Sequence, residues 1–206
     1  MVDDTVRDRG GHQRDFMAPD GALYVPGADA LLPAMREWLR ALEPAETAGV
    51  LFTFDTHVPE VYAGSAEAQA FPVHCVRGST GWANMLNVAL VDPAIPVWRL
   101  EKRVFDMWAE PDLSIEDARK PATQQMDREQ FFANLKVAGV SEVMVIGVAA
   151  DYCVRWAIEG LIGRGFKVVV PEQLTRGIER QIRTVAADEF ADAPFYVTSA
   201  IAPPSA

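Results

Sequence analysis

The sequence predicts one α/β domain with a doubly wound, mainly parallel sheet and helices on both faces, in three layers. Two observations predict this class. Short runs of continuous apolar residues, typical of strands buried on both faces, alternate with longer stretches in which apolar residues recur at helical spacing. The chain of 206 residues, 50% of them hydrophobic, is long enough to bury one sizeable core.

Five strands and four helices follow from these patterns. The strands are the apolar runs at residues 50–54, 95–100, 142–148, 166–170 and 195–198. The helices are the periodic stretches at residues 29–42, 127–138, 152–163 and 179–190. Ligands of such a sheet bind beyond the carboxyl ends of the strands, so polar residues that directly follow a strand are candidates for a site.

The first residues do not fit this scheme. A domain of this kind usually opens with an apolar strand, whereas this chain begins with MVDDTVRDRGGHQ. Burying these charges without partners would be costly, so the first strand is expected to be weak or absent. We therefore expect residues 1–12 to form an aberrant or disordered segment and residues 13–206 to form the single domain.

Charge and cysteine content narrow the class of partner. The formal net charge of −10 at pH 7 disfavours nucleic acid and anionic membrane surfaces. The N-terminal residues lack the apolar region of a signal peptide, and no apolar run reaches the length of a membrane span. The two cysteines, Cys75 and Cys153, do not make a disulfide framework. A reducing cytoplasm is the expected location.

Cys153 is the first candidate for a chemical role. A predicted strand ends, a tight turn follows and a helix begins within GVAADYCVRWAIEGLIGRG, residues 147–165. The free N–H groups and the positive dipole end of a helix lower the pKa of a thiol and stabilise an oxyanion. The alternative is a small buried residue that packs the helix against the sheet, the more common role of a lone cysteine.

Asp55, His57 and His74 are the candidates for a metal site. Asp55 follows a predicted strand, and in an extended segment His57 points to the same side. One carboxylate and two imidazoles suit a divalent transition metal, with water in the open positions. The alternative is a set of polar loop residues that only cap and form hydrogen bonds.

Lys102 follows the predicted strand at residues 95–100. A lysine beside a cysteine site can stabilise a thiolate or a developing anion. The alternative is a surface lysine whose solvated partners are the nearby acids Glu101 and Asp106.

Four segments together resemble the nicotinamidases and the wider isochorismatase-like cysteine hydrolases. The family's opening motif resembles residues 13–29, QRDFMAPDGALYVPGAD, and its Asp-x-His metal segment resembles residues 52–60, FTFDTHVPE. The stretch with the last metal histidine is similar to residues 71–82, FPVHCVRGSTGW, and the nucleophile turn to residues 147–154, GVAADYCV. The match covers most of the chain, and four motifs in the family's order are far more specific than one.

The resemblance implies an isochorismatase-like fold and hydrolysis of a small, nicotinamide-like carboxamide to a carboxylate and ammonia through a thioester. It makes Cys153 the nucleophile and Lys102 its catalytic partner. It also implies a cis peptide bond at Val148–Ala149 and an oxyanion hole formed by the N–H groups of Ala149 and Cys153. Cys75 does not open a helix and is interpreted as a packing residue.

A metal cofactor and self-assembly are implied in the same way. The resemblance assigns Asp55, His57 and His74 to a divalent ion, for which zinc is favoured and iron and manganese are alternatives. In nicotinamidases this metal helps to seat the pyridine ring of the substrate. Family members often form homo-oligomers, which is the expectation for this chain.

One residue departs from the family pattern Asp-x-Gln-x-Asp-Phe, because Gly11 stands where the family has its general acid/base. A glycine cannot transfer a proton, and loss of a positioned base costs about 10²–10⁴ in rate. Three explanations stay open. Asp8 or Asp15 substitutes, the chain is a catalytically impaired or non-enzymatic member, or a reading-frame shift over residues 7–12 has replaced an apolar strand that ended in Asp-Thr. Sequencing the start of the gene tests the last.

Four aromatic residues are expected to line the substrate pocket: Phe16, Phe105, Trp108 and Tyr152. Phe105 and Trp108 lie in RVFDMW, residues 103–108, where nicotinamidases have a short Asp-Ser-Tyr-Ser-like stretch. This departure from the family argues against nicotinamide as the substrate but not against amide hydrolysis. The alternative for both residues is a position in the hydrophobic core. Ether hydrolysis of the isochorismatase type is disfavoured, because those enzymes lack the nucleophilic cysteine.

Overall fold

A computed structural model describes residues 5–9, 12–123 and 125–199, the first of these ranges through its backbone only. Its centre is a nine-stranded sheet. The strands are β1 (Thr5–Arg9), β2 (Thr47–Asp55), β3 (Val97–Lys102), β4 (Ser114–Asp117), β5 (Gln125–Asp127), β6 (Glu142–Val148), β7 (Lys167–Pro171), β8 (Thr175–Arg176) and β9 (Phe195–Thr198). Their spatial order is β5-β4-β3-β2-β1-β6-β7-β9, with β8 paired to β6.

The sheet is mainly parallel, as predicted. Every pairing among β1, β2, β3, β6, β7, β8 and β9 is parallel, and only the edge strands β4 and β5 pair antiparallel. Six α-helices accompany the described strands: α1 (Arg14–Met17), α2 (Leu32–Arg40), α3 (Pro59–Tyr62), α4 (Arg128–Val137), α5 (Cys153–Gly163) and α6 (Ile182–Glu189). None of the helices in the described ranges is long and apolar enough to cross a bilayer.

Two hydrophobic clusters cover the two faces of the sheet. Side chains alternate between the faces along a strand, so Val143 and Val145 of β6 join one cluster while Met144 and Ile146 join the other. Helices α4, α5 and α6 pack into the first cluster, and α2 packs into the second. Both faces of β6 are therefore buried, which explains why its sequence is continuously apolar.

The expectation of a weak or absent first strand is wrong. Residues Thr5–Arg9 form β1 in the middle of the sheet, paired with β2 on one side and β6 on the other. A ladder is built from main-chain N–H and C=O groups, which a charged residue supplies as well as an apolar one. Gly11 lies outside the described residues, and the division into residues 1–12 and 13–206 stays a prediction.

The strongly apolar elements lie where the sequence predicts them. The strands at residues 142–148 and 195–198 match their predicted bounds, and the other predicted strands and helices differ only at their ends. The expected helix at residues 29–42 is a short 3-10 turn followed by α2. The short elements β4, β5, β8, α1 and α3 were not predicted.

Candidate active site

Three candidate residues lie at the carboxyl ends of strands. Asp55 is the last residue of β2 and Lys102 the last of β3, and the register of this strand pair places the two residues opposite each other. Cys153 is the first residue of α5, a short turn beyond the carboxyl end of β6. Strand β1 lies between β2 and β6, so the site sits where the strand order reverses.

Lys102 connects Asp55 to Cys153. Its ammonium group forms a salt bridge with Oδ1 of Asp55, and its Nζ lies 3.5 Å from Sγ of Cys153. A further hydrogen bond of 3.1 Å goes from Nζ to the carbonyl oxygen of Val104. Only 3% of the Lys102 side chain is exposed, so the alternative of a surface lysine with a solvated acidic partner is wrong.

The two charges of the Asp55–Lys102 pair stabilise each other against burial. Burial alone would raise the pKa of Asp55 and lower the pKa of Lys102, because it penalises the charged forms. The positive charge of Lys102 and the interaction with the His74 side chain together outweigh burial and hold the pKa of Asp55 below its usual value. The negative charge of Asp55 likewise raises the pKa of Lys102. Both groups are therefore charged at neutral pH.

The thiol of Cys153 is protonated at neutral pH in this environment. Burial raises its pKa to about 12, and the positive charge of Lys102 opposes that shift only in part. The expectation that the start of a helix lowers this pKa is wrong, because loss of solvation outweighs the nearby positive charge. The thiol must pass its proton to a base before it can attack a carbonyl.

The turn before Cys153 leaves three main-chain N–H groups without an acceptor in the described ranges, those of Ala149, Asp151 and Cys153. The peptide bond Val148–Ala149 is cis, as the family resemblance implied. The N–H groups of Ala150, Tyr152 and Val154 donate to main-chain carbonyls. No acceptor within the described ranges takes the N–H groups of Ala149 and Cys153, the pair predicted to form an oxyanion hole.

Asp55, His57 and His74 come together as one buried cluster. Each offers a ligand atom, and these atoms all lie within 4.8 Å of one another. The imidazole rings of the two histidines meet edge to face, with their centroids 4.7 Å apart. The spacing and the mixed oxygen and nitrogen donors fit a divalent transition metal.

The donor atoms of this cluster are free to bind a metal ion. Oδ2 of Asp55, Nε2 of His57 and Nε2 of His74 are buried, and none has a hydrogen-bond partner among the described residues. Nδ1 of His74 lies 2.9 Å from the carbonyl oxygen of Pro72, which orients the ring and leaves Nε2 as the ligand atom. Burial lowers the pKa of His57 to about 4, so its ring is neutral at pH 7, the form that binds metals.

The opening motif holds this cluster in place. The side-chain amide of Gln13 donates to the carbonyl oxygen of Asp55 at 2.8 Å and accepts the Asp55 N–H at 2.7 Å. The carboxylate of Asp15 accepts the N–H groups of Cys75 and Ala22 at 2.7 Å and 3.1 Å. Both oxygens of Asp15 thus bind main-chain N–H groups, one of them next to His74. These contacts do not support the suggestion that Asp15 replaces the missing base.

We expect Gln13→Ala to weaken metal binding about 10–100-fold, because the variant loses both bonds that fix the backbone of Asp55. Titration of the metal-free protein with Zn²⁺, followed by calorimetry, measures this change. The exposed Gln173 provides a matched control, since Gln173→Ala removes the same side chain at a position outside the cluster. Equal affinities of the two variants would contradict the positioning role.

A small and narrow apolar cavity lies beside Cys153. Three of the predicted pocket residues line it, namely Phe16, Phe105 and Tyr152. Further apolar side chains and the turn complete the wall: Leu23, Val25, Val148, Ala149 and Ile178. Phe105 also stacks on the ring of His74, with centroids 5.8 Å apart, so the aromatic wall connects the cavity with the metal cluster.

The prediction that Trp108 lines this cavity is wrong. Its Nε1 donates to the carbonyl oxygen of Trp156 at 2.9 Å, and its ring packs on Phe132, with centroids 5.0 Å apart. Trp108 also lies so close to Gly160 that a Cβ atom there would come within 2.0 Å of the indole nitrogen. Trp108 therefore packs against helix α5 and the first hydrophobic cluster. This agrees with the core position given above as the alternative for this residue.

Glu67 is a site residue that the sequence analysis did not identify. It opens a 3-10 turn, Glu67–Gln69, in the loop between His57 and His74. Its Oε1 accepts the N–H of Phe105 at 2.5 Å, while Oε2 is buried and has no hydrogen-bond partner in the described part of the chain. Acidic residues are common in loops, so the sequence offers no signal that separates Glu67 from its neighbours.

The fold and this site define an α/β protein with a cysteine and lysine pair beside a cluster of metal-binding type. A family model described as the isochorismatase domain matches residues 11–202, and the chain belongs to that family.

Relatives of known structure and sequence agree with this assignment. The chain is 27% identical over 181 residues to the nicotinamidase/pyrazinamidase of Mycobacterium tuberculosis, covering 86% of this chain and 89% of that protein. The zinc complex of pyrazinamidase from Pyrococcus horikoshii superposes with a TM-score of 0.68 at 25% identity, covering 95% of this chain and 98% of that one. PnC1 from L. infantum, in complex with nicotinate, gives a TM-score of 0.70 at 25% identity, covering 96% and 93%.

Proposed function

We propose that the chain is a metal-assisted cysteine amidohydrolase that converts a small, nicotinamide-like carboxamide to a carboxylate and ammonia. The observation that carries this proposal is the convergence of Cys153, Lys102 and two free N–H groups at the edge of an apolar cavity. A thiol nucleophile, a positive charge and paired donors are the parts that acyl transfer requires.

The substrate class is proposed from the cavity and from the relatives. The cavity wall is aromatic at Phe16, Phe105 and Tyr152, which suits a flat ring that carries the amide. Its small volume favours a compact substrate. The names of the relatives refer to nicotinamidase and pyrazinamidase activity, and one solved relative holds nicotinate, so ring carboxamides are the first compounds to test.

Each residue has a separate role in the proposed reaction. The thiolate of Cys153 attacks the amide carbonyl, and the N–H groups of Ala149 and Cys153 hold the oxyanion that forms. Lys102 stabilises negative charge on the sulfur, since its Nζ lies 3.5 Å from Sγ. Ammonia leaves, and water then hydrolyses the thioester and frees the thiol.

A divalent ion would be held by Asp55, His57 and His74, whose three buried donor atoms have no other partner in the described ranges. Zinc is the proposed ion, with iron and manganese as alternatives, because one carboxylate and two imidazoles suit all three. Such an ion supplies a positive charge and open coordination positions next to the cavity. The aromatic residues of the cavity wall would still bind the substrate ring, and Lys102 would still hold the thiol of Cys153.

A second candidate function is that of an impaired or non-enzymatic family member that only binds metal and ligand. Gly11 favours it, because the family's acid/base is absent there. The raised pKa of Cys153 favours it as well, since a thiol with a pKa of about 12 is a poor nucleophile without a base.

One assay separates the two candidates. Purified protein of measured metal content is given nicotinamide, pyrazinamide and a panel of other carboxamides, and ammonia release is measured. The amidohydrolase proposal expects release from at least one ring carboxamide. Absence of release from every amide, with metal present and the protein folded, would leave the impaired member as the function.

We expect removal of the metal with a chelator to reduce ammonia release by about 10² or more, because several kcal/mol of charge stabilisation are lost beside the cavity. Addition of Zn²⁺ or Mn²⁺ in slight excess should restore the rate. A far-ultraviolet circular dichroism spectrum of the chelated protein controls for unfolding. A rate that does not respond to chelation, despite loss of the ion, would show that the metal has no part in the reaction.

A further inference from the structure

One buried acid of the turn before Cys153 has no task in the proposed reaction. Asp151 lies between β6 and α5, two residues before Cys153, and only 8% of it is exposed. A buried carboxylate is stable only where hydrogen bonds or charges replace the water that it loses. The partners of Asp151 therefore show which part of the chain this residue holds.

Three consecutive main-chain N–H groups converge on the carboxylate of Asp151. Its Oδ1 accepts the N–H of Ile178 at 3.0 Å. Its Oδ2 accepts the N–H groups of Glu179 and Arg180 at 2.8 Å and 3.0 Å. These donors belong to residues 177–180, the loop between β8 and α6, which we call the 177–180 loop. Because hydrogen bonds to a charged acceptor are stronger than neutral ones, one side chain fixes the path of this loop.

The 177–180 loop is folded tightly around this carboxylate. A Cβ atom at Gly177 would collide with the carbonyl oxygen of Arg180 and would lie 3.1 Å from Oδ1 of Asp151, so the close approach requires glycine. The side-chain amide of Gln181 closes the loop, since it accepts the N–H of Gly177 at 3.2 Å and donates to its carbonyl oxygen at 3.3 Å. The loop thus has one defined conformation, with Asp151 at its centre.

The same loop reaches the cavity beside the thiol. Ile178, whose N–H is held by Asp151, lines this cavity together with Ala149 and Cys153. The turn before Cys153 is also joined to the start of the loop through the main chain, because the N–H of Ala150 donates to the carbonyl oxygen of Arg176 at 2.8 Å. Asp151 therefore connects the turn that carries the nucleophile to a residue of the opposite cavity wall.

We propose that Asp151 is a positioning residue whose carboxylate holds the 177–180 loop in place, so that Ile178 closes the cavity beside Cys153. Its effect on catalysis rests on the proposed amidohydrolase function, because a closed wall would hold the substrate ring against the thiol and exclude water. The closure of the cavity over the thiol does not rest on that function and is measurable without an amide.

The test uses Asp151→Asn in the full-length, metal-loaded protein. Asparagine has the same shape, but an NH₂ group replaces one of the two acceptor oxygens. In either orientation of the amide, this donor faces at least one of the three N–H groups of the 177–180 loop, which then loses its acceptor. We therefore expect the loop to loosen and Ile178 to leave the cavity wall.

The two measured rates should change in opposite directions. Burial is the main cause of the raised pKa of Cys153, so an opened wall increases both the thiolate fraction and the access of a reagent. We expect the rate of Cys153 alkylation by iodoacetamide at pH 7.5, followed by mass spectrometry, to rise about tenfold or more. In contrast, kcat/KM for ammonia release should fall about 10–100-fold, mainly through a higher KM, because the ring loses part of its binding wall.

Two controls separate this role from a general loss of stability. Cys75 is fully buried in the second hydrophobic cluster, so an opening of the loop exposes Cys153 alone, whereas global unfolding exposes both cysteines. Asp117→Asn makes the same chemical change at another carboxylate that accepts consecutive main-chain N–H groups, those of Arg119 at 2.7 Å and Lys120 at 3.1 Å. Asp117 ends β4 and does not line the cavity, so its variant should leave KM and both alkylation rates unchanged.

An unchanged alkylation rate of Cys153 in Asp151→Asn would overturn the proposal, and so would an equal acceleration at Cys75. If Asp151→Asn does not fold, Ile178→Ala decides, because it shortens the wall while leaving all three hydrogen bonds to Asp151 in place. The same selective rise at Cys153 is expected there, and its absence would show that Ile178 does not close the cavity.

The two proposals can fail separately. Absence of ammonia from the unmodified chain, combined with a selective rise of Cys153 alkylation in Asp151→Asn, would reject the amidohydrolase function and keep the closure of the cavity by Asp151. Ammonia release with the same kcat and KM in Asp151→Asn as in the unmodified chain would keep the amidohydrolase function and reject Asp151 as a positioning residue.

Discussion

Cys153→Ala is expected to reduce ammonia release by about 10⁴–10⁶ while leaving the fold and the metal content intact. The side chain of Cys153 supplies the electron pair that attacks the carbonyl, and its Sγ is held 3.5 Å from Nζ of Lys102. Alanine keeps the N–H group of residue 153 and therefore one donor of the proposed oxyanion hole. The residual rate of the variant consequently measures catalysis without a nucleophile. Ammonia release with nicotinamide or the best carboxamide of the panel is the measurement.

Cys75→Ala is the matched control for this variant. Cys75 is also buried, but it lies in the hydrophobic cluster that contains α2, and burial raises its thiol pKa. We expect Cys75→Ala to lower stability by a modest amount and to retain most of the activity. Activity that survives in Cys153→Ala and disappears in Cys75→Ala would show that the nucleophile has been assigned to the wrong cysteine.

The buried strands of this fold could be predicted from the sequence because burial itself makes the pattern. Strand β6 lies in the sheet interior with both faces covered, and its residues, EVMVIGV, are almost all apolar. Strands β4 and β5 are short and partly exposed at the sheet edge, and they contain SIED and QMD. The side chains of such short polar segments do not distinguish a strand from a loop, because pairing at the sheet edge depends on main-chain groups.

The amino-terminal strand shows the limit of the same rule. The charged sequence TVRDR predicted a weak or absent strand, yet these residues pair with both β2 and β6. The strand is held by main-chain pairing with one neighbour on each side, and the pattern of its side chains gives no sign of that pairing. A rule based on apolar patterning thus identifies strands that bury side chains and fails for a strand defined by its position in the ladder.

The parts of the candidate site that lie in sequence motifs could be predicted. The contacts between residues distant in sequence could not. Asp55, His57 and His74 were grouped from the sequence, and the structure brings them together. The Asp55–Lys102 pair spans 47 residues and arises from the register of β2 on β3, which no local spacing encodes. Glu67 likewise became visible only through the contact of its carboxylate with the N–H of Phe105.

Lys102→Met is expected to lower the free energy of unfolding of the metal-free protein by about 3–5 kcal/mol at neutral pH. Methionine keeps most of the apolar stem but removes the charge that pairs with Asp55, so a buried carboxylate is left without its main partner. Urea unfolding at pH 7.5 measures the loss. The exposed Lys120 is the matched control, and Lys120→Met should change the free energy by less than about 0.5 kcal/mol.

The pH dependence of that loss has a definite sign. The folded-state pKa of Asp55 lies below its unfolded value, so its ion pair stabilises the folded protein at pH values above the unfolded pKa. The contribution disappears as pH falls through the folded pKa, because Asp55 is then protonated in both states. The difference in unfolding free energy between the unmodified chain and Lys102→Met should therefore be largest near neutral pH and narrow as the pH falls below the ordinary aspartate pKa of about 3.9. A difference independent of pH would show that lost packing, and not the charge, destabilises the variant.

The same variant should also slow the chemistry of Cys153. The charge of Lys102 is the largest influence that opposes the rise of the Cys153 pKa, so its removal raises that pKa further and lowers the thiolate fraction at any given pH. We expect slower alkylation by iodoacetamide at pH 9 in Lys102→Met than in Lys120→Met, and a corresponding loss of ammonia release. Equal alkylation rates would mean that the 3.5 Å contact between Nζ and Sγ does not stabilise the thiolate, and the catalytic role proposed for Lys102 would fail with it.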